Sequence, residues 1–261
     1  MENSIIKFHS AHPANSNQPD YRPSPAKSNI PQWFLDKDKH KKVNGQYILE
    51  FANINGKAVV NRLPSWKSCP ALLDIFISGY YVYTPCDITV IDNHHQCDFH
   101  GEVDVEFDEQ WGKSEIGSAF CAFRGIEEGF PAPEGFYEHT FAWRPNWFWQ
   151  VPEGYTTLVI HPMNRSDLPF QTVSGFIDAE NKMVGSGQIP FFIKKGWRGT
   201  IPAGTPFAQI IPIKNESWTS ETIDYSDEEI KEFLKEKYDT YMIGHGLTKY
   251  KETDWIKKDY E

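Results

Sequence analysis

Between Trp147 and Ile213 the chain reads Trp147-Phe-Trp-Gln-Val151, Tyr155-Thr-Thr-Leu-Val-Ile-His161, Thr172-Val-Ser-Gly-Phe-Ile177, Gln188-Ile-Pro-Phe-Phe-Ile193 and Pro206-Phe-Ala-Gln-Ile-Ile-Pro-Ile213. Each run is β-branched or aromatic and is bounded by Pro, Gly or Asn, the punctuation of strands and turns. No 3.6-residue period fits them. The stretch predicts a mainly β protein whose core lies in residues 147–224, with the remainder attached to it.

Working outward, Gln46–Phe51 and Lys57–Asn61 predict a hairpin turning at Asn53–Gly56. Pro70 suits a first helical position and Gly79 a left-handed residue after a helix end, so 68–79 predicts a short helix. Tyr80 to Asp92 reads as one long strand that completes a first β segment over 43–92. Residues 93–146 read as an inserted β and loop region, with strands at Glu102–Phe107 and Phe120–Phe123. Ser226-Asp-Glu-Glu229 is a capping box. Ile230, Phe233, Leu234 and Tyr241 follow at helical spacing, with Gly244 at the end. The 225–261 segment therefore predicts one C-terminal helix, packed by its apolar face on the β core. Residues 1–42 carry a Pro-rich N-terminal arm, read as disordered or laid across a neighbouring subunit, and 36–42 as a charged turn.

A formal net charge of -10 opposes an extended nucleic-acid surface, which needs cations to release counterions. No apolar run approaches the roughly 20 residues that span a bilayer, and no secretory signal follows Met1. The four cysteines (Cys69, Cys86, Cys97 and Cys121) have no C-x-x-C spacing. A cytoplasmic protein, in a host cell or virion, is expected. His139 and His161 read as partly buried, hydrogen-bonded residues.

Pro202-Ala-Gly-Thr-Pro-Phe-Ala-Gln-Ile-Ile211 resembles a strand of the dUTPase and dCTP deaminase family, and Gly175-Phe-Ile-Asp178 resembles its G-V-I-D turn. Pro152 to Pro169 is similar to the strand entering the family's phosphate-contacting loop, and Pro85-Cys-Asp-Ile88 stands where its first motif falls. The resemblance implies a dUTPase-like β-clip barrel, often trimeric. It also implies a nucleotide held by Arg165, Ser166 and Gln209, a water-activating carboxylate at Asp178, and Mg²⁺ held through Asp87. The sequence departs from the pattern at three places. Asp167 follows Ser166, Ala179 follows Asp178, and no glycine-rich closing segment follows Ile213.

The chain also resembles a poorly characterised group of phage and bacterial proteins. Lys67-Ser-Cys-Pro70 ahead of Ser78-Gly-Tyr80, and Pro152-Glu-Gly-Tyr155 ahead of the Gly175–Asp178 turn, carry that likeness. Together these readings predict a phage-associated homo-oligomer, structural or nucleotide-binding, without standard dUTPase catalysis. A Mg²⁺-dependent nucleotide pyrophosphatase or deaminase-like enzyme is the alternative. A second alternative is a cupin-like metal-dependent oxygenase using His94, His95, Cys97 and His100, with Glu102 as a further ligand.

Overall fold

A computed structural model describes residues 4–17, 21–54, 57–93, 101–111, 120–126, 130–181, 187–237 and 246–261. The chain divides into two units, one of residues 1–28, 79–215 and 260–261, the other of 29–78 and 216–259.

The first unit is built of antiparallel strands. Tyr155–Ile160 lies between Gly175–Ile177 and Pro206–Lys214, and Pro206–Lys214 in turn pairs with Tyr80–Tyr83, which is flanked by the two-residue strand Ser24–Pro25. A second sheet runs Cys121–Ile126, Phe136–Trp143, Ile189–Lys194, Phe170–Thr172, and a third runs Gly199–Ile201, Ile88–Asp92, Val103–Phe107. The 147–213 stretch is strand-forming as its residues dictate, and no helix occurs in it among the described residues.

Aromatic side chains fill the space between these strands. Trp143 stacks on Phe191 with ring centroids 3.7 Å apart and meets Phe207 and Phe170 at 5.1 and 5.2 Å. Trp111, Phe120, Phe141 and Trp149 are buried in the same cluster, so the 93–146 stretch contributes side chains to the core of this unit. A buried indole must place its N–H. That of Trp143 donates to Thr172 Oγ1 (3.2 Å), whose hydroxyl donates to the Phe207 carbonyl (2.6 Å).

Two single strands of the sequence reading are each two strands in different sheets. Tyr80–Asp92 breaks after Tyr83, because Pro85 has no N–H to give a ladder. At the break Thr84 N donates to the Thr205 carbonyl, Thr84 O accepts from Gly204 N, and Thr84 Oγ1 donates to the Pro202 carbonyl. The chain then re-enters as Ile88–Asp92 beside Gly199–Ile201. Thr172–Ile177 likewise divides at Val173–Ser174: Phe170–Thr172 pairs with Ile189–Lys194, and Gly175–Ile177 with Tyr155–Ile160. Gly79 has φ +69°, and a Cβ there would lie 2.2 Å from the Ile210 carbonyl oxygen. Only glycine fits the entry to the Tyr80–Tyr83 strand.

The N-terminal arm corrects the expectation of disorder or of a neighbour as its support. Lys7–Ser10 pairs with Trp147–Gln150 of its own chain. Buried Asn15 donates to the Asn146 carbonyl and accepts from Asn146 Nδ2, both at 2.7 Å. Local sequence carried too few apolar residues to show this, because the stabilising partners are polar groups some 130 to 140 residues away.

In the second unit, Pro70–Ile77 is the expected helix with Pro70 at its start. Phe76 packs on Phe34 and Trp33 at 4.5 and 5.8 Å. A hairpin forms as expected but shifted, pairing Leu49–Ile54 with Lys57–Arg62 rather than starting at Gln46. A further hairpin pairs Lys42–Val43 with Gln46–Tyr47 through Asn44 and Gly45 at φ 49° and 79°, the backbone of a type I′ turn. The capping box forms: Ser226 N donates to Glu229 Oε2 at 2.8 Å, and this bond leads the causes that lower the Glu229 pKa. The helix it opens, Asp227–Lys237, departs from expectation, and it is not the single helix expected of 225–261, since Gly246–Thr253 is helical as well. Ile230, Phe233 and Leu234 remain exposed rather than packed, and Tyr241 and Gly244 lie outside the described residues.

Thr172→Val should strand the Trp143 N–H and the Phe207 carbonyl, and cost about 2–4 kcal/mol at a typical penalty for two orphaned buried groups. Urea denaturation followed by tryptophan fluorescence measures it, with Thr172→Ser, which keeps the hydroxyl, expected near wild type.

Candidate functional site

The five-stranded sheet has two buried faces. Val82, Ala208, Ile210 and Val159 face the aromatic core, while Tyr81 and Tyr83 join a smaller cluster with Ala26 and Tyr21. Register places Gln209 level with Tyr81 on one side and Ile160 on the other. Gln209 is fully buried, and its Oε1 accepts from Met163 N at 3.0 Å. That bond ties the 162–167 loop to the sheet.

Arg165 stands in this loop and makes a two-pronged ion pair with Asp167: Nε to Oδ1 and Nη2 to Oδ2, both at 2.9 Å. Its side chain is 11% exposed. Arg165 Nη1 and Tyr81 Oη are both buried and have no hydrogen-bond partner among the described residues. Burial pushes the Tyr81 phenol up to about 12, against the opposing pull of the Arg165 charge. Tyr83 Oη meets Ser24 Oγ at 2.8 Å. His161 closes the loop from inside, accepting from Thr172 N through Nδ1 and facing the Arg165 carbonyl through Nε2, each at 3.3 Å. Burial lowers its pKa.

Gln209 thus holds Met163, two residues before Arg165, in the 162–167 loop. The structure does not bring the two carboxylates to them. Asp178 is exposed and follows Ile177, which pairs with Thr157. Thr157 is three residues, about 10 Å at strand rise, from Ile160, the residue level with Gln209. Asp87 lies beyond the opposite end, where its Oδ1 accepts from Ala203 N at 2.7 Å and braces the 202–205 turn. Ser166 is exposed. Tyr81, Tyr83 and Ser24 are the site residues sequence reasoning did not single out. Their only signal was the Tyr81/Tyr83 alternation.

The chain matches no family model, and no curated protein matches it either.

A Mg²⁺ clamp does not fit these residues. The Asp87 carboxylate is engaged by Ala203 N, Asp178 is remote from it, and no three His, Cys, Asp or Glu side chains converge among the described residues. The His94, His95, Cys97 and His100 cluster lies outside those residues. Cys69, Cys86 and Cys121 are free thiols. Burial pushes Cys86 up to about 12 and raises Cys121 as well, which removes the thiolate that reactivity needs. No described helix is long and apolar enough to cross a membrane.

Two outcomes are expected. A thiol reagent added to the native protein should leave Cys86 and Cys121 unmodified until denaturant is present, as peptide mapping of the labelled protein would show. Because the folded pKa of His161 lies below its ordinary 6.5, the unfolded chain binds the proton first as pH falls, and native stability is lost below about 6.5. His161→Asn keeps an acceptor for Thr172 N without titrating. Its melting temperature should fall less than wild type between pH 7.5 and 5, the remaining slope including His12, whose pKa is also lowered by burial.

Proposed function

We propose that the chain is a non-catalytic, phage-associated structural protein with a dUTPase-like β-clip core that works as a homo-oligomer. The observation that carries this reading is the employment of the groups hydrolysis would require. Arg165 is neutralised by Asp167, Gln209 Oε1 holds Met163 N, and Asp87 braces Ala203 N. Each of these contacts spends a polar group on holding the chain's own backbone or charge, and Asp178 stands apart from all three. The clip architecture is supported by strands that leave one sheet for another at Thr84–Cys86 and at Val173–Ser174.

One observation favours nucleotide binding as a second reading. The buried Arg165 Nη1 and Tyr81 Oη lack partners among the described residues, and a phosphate oxygen is an acceptor suited to either donor.

The test uses the full chain with each deoxynucleoside triphosphate and Mg²⁺, reading pyrophosphate release, deaminated product and melting temperature. No turnover is expected with any of them. Turnover abolished by Asp178→Asn would overturn the non-catalytic reading. A melting-temperature rise lost in Arg165→Gln would establish the second reading.

A further inference from the structure

Residues 216–226 have neither helix nor strand, and every residue from 213 to 237 is exposed. The segment is nevertheless rich in large apolar side chains. Trp218 is 86% exposed, Ile223 61%, Tyr225 58% and Phe233 59%, with Ile230 and Leu234 also open to solvent. At about 100–200 Å² for each such side chain, one segment presents on the order of 600 Å² of apolar surface or more. Surfaces of that size mark interaction sites and approach what one partner contributes to a standard interface.

Its charge points to what covers it. Residues 216–237 hold eight Asp and Glu against three Lys, a net of -5 in sequence. In the same unit, residues 37–67 hold seven Lys and Arg against two acids, a net of +5. Three of these cations, Lys37, Lys41 and Lys42, line a cleft of about 500 Å³ together with His40, Val43, Ile48 and Trp66. Trp66 is 68% exposed at this cleft and Val43 58%. Asp38 does not reverse the sign, because Lys42 bonds its carboxylate at 2.6 Å and holds it ionised, down at about 2, as an internal pair. Tyr47 beside it is spanned by two cations, Lys42 Nζ at 4.5 Å and Arg62 Cζ at 4.1 Å.

From this complementarity we infer that the acidic, apolar 216–237 segment of one protomer docks in the basic, aromatic 37–67 cleft of a second copy of the chain. Opposite charges set the register, and Trp66 with Val43 receives the apolar side chains. The contact rests on the oligomeric reading above and assigns its interface. It joins two different surfaces, so it is made reciprocally in a dimer or closes as a ring.

Light scattering on the full-length protein tests both levels. The wild type should have a mass that is a multiple of the single chain. A monomer at all concentrations would overturn the oligomeric reading and the contact together. Phe233→Asp with Leu234→Asp alters side chains that are exposed in the protomer, so folding should be retained. This variant should be monomeric, as should Lys37→Glu with Lys41→Glu. The two defective chains, mixed, should regain an assembled species, because together they hold one intact segment and one intact cleft. Lys37→Glu/Lys41→Glu should also be rescued by Glu228→Lys/Glu232→Lys. Oligomers that survive both double substitutions, or defective chains that do not complement, would overturn this contact and leave the oligomeric reading standing.

Discussion

Thr172 is the knot of the β unit. Its hydroxyl accepts from the Trp143 indole and donates to the Phe207 carbonyl, while its amide donates to His161. These three partners stand on separate segments, 29, 35 and 11 residues away in sequence. One small side chain thereby resolves a general difficulty of aromatic cores, since every buried indole and carbonyl must find a partner in a space that excludes water. Stacking of Trp143 on Phe191 at 3.7 Å depends on that solution, because the ring can lie flat only if its N–H points at an acceptor.

From the same residue, constraint passes to the candidate site. Thr172 fixes His161, which faces the Arg165 carbonyl, and Gln209 fixes Met163 two residues before Arg165. The 162–167 loop is thus anchored from below by polar groups that a sequence pattern alone would assign to a ligand. A buried amide side chain is expensive unless bonded, so once Gln209 is inside the sheet its first use is structural. The same holds for Asp87 at the 202–205 turn. The other unit follows different physics: its small aromatic cluster around Phe34 and Phe76 is apolar, whereas its basic and acidic groups are separated along the sequence and exposed.

How much of this was legible depended on how local the cause was. The Pro70–Ile77 helix, the Ser226–Glu229 capping box and the strands of 147–213 other than Thr172–Ile177 are fixed by neighbours in sequence, and they appear where the residues place them. The Asn44-Gly45 hairpin was equally local, and its signal was masked by reading 36–42 only as charge. Arg165 and Gln209 were legible only as candidate polar residues of one site. The remoteness of Asp87 and Asp178 was not, because register decides which residues of different strands stand level, and no local pattern encodes it. For the Asp227–Lys237 helix, periodicity gave the apolar face correctly, but amphipathicity states only that a face seeks cover, not that its own chain provides it.

By itself the sequence determined that the chain is mainly β, where the helices at Pro70 and after Ser226 begin, and which side chains are apolar enough to demand burial. All of these follow from propensity, period and turn chemistry within a few residues. Tertiary structure alone decided that Tyr80–Asp92 and Thr172–Ile177 each serve two sheets, that the proline-rich N-terminus pairs with Trp147–Gln150, and that the conspicuous polar residues hold turns together. Those outcomes depend on hydrogen bonds between groups up to about 140 residues apart, and such bonds exist only once the chain has closed on itself.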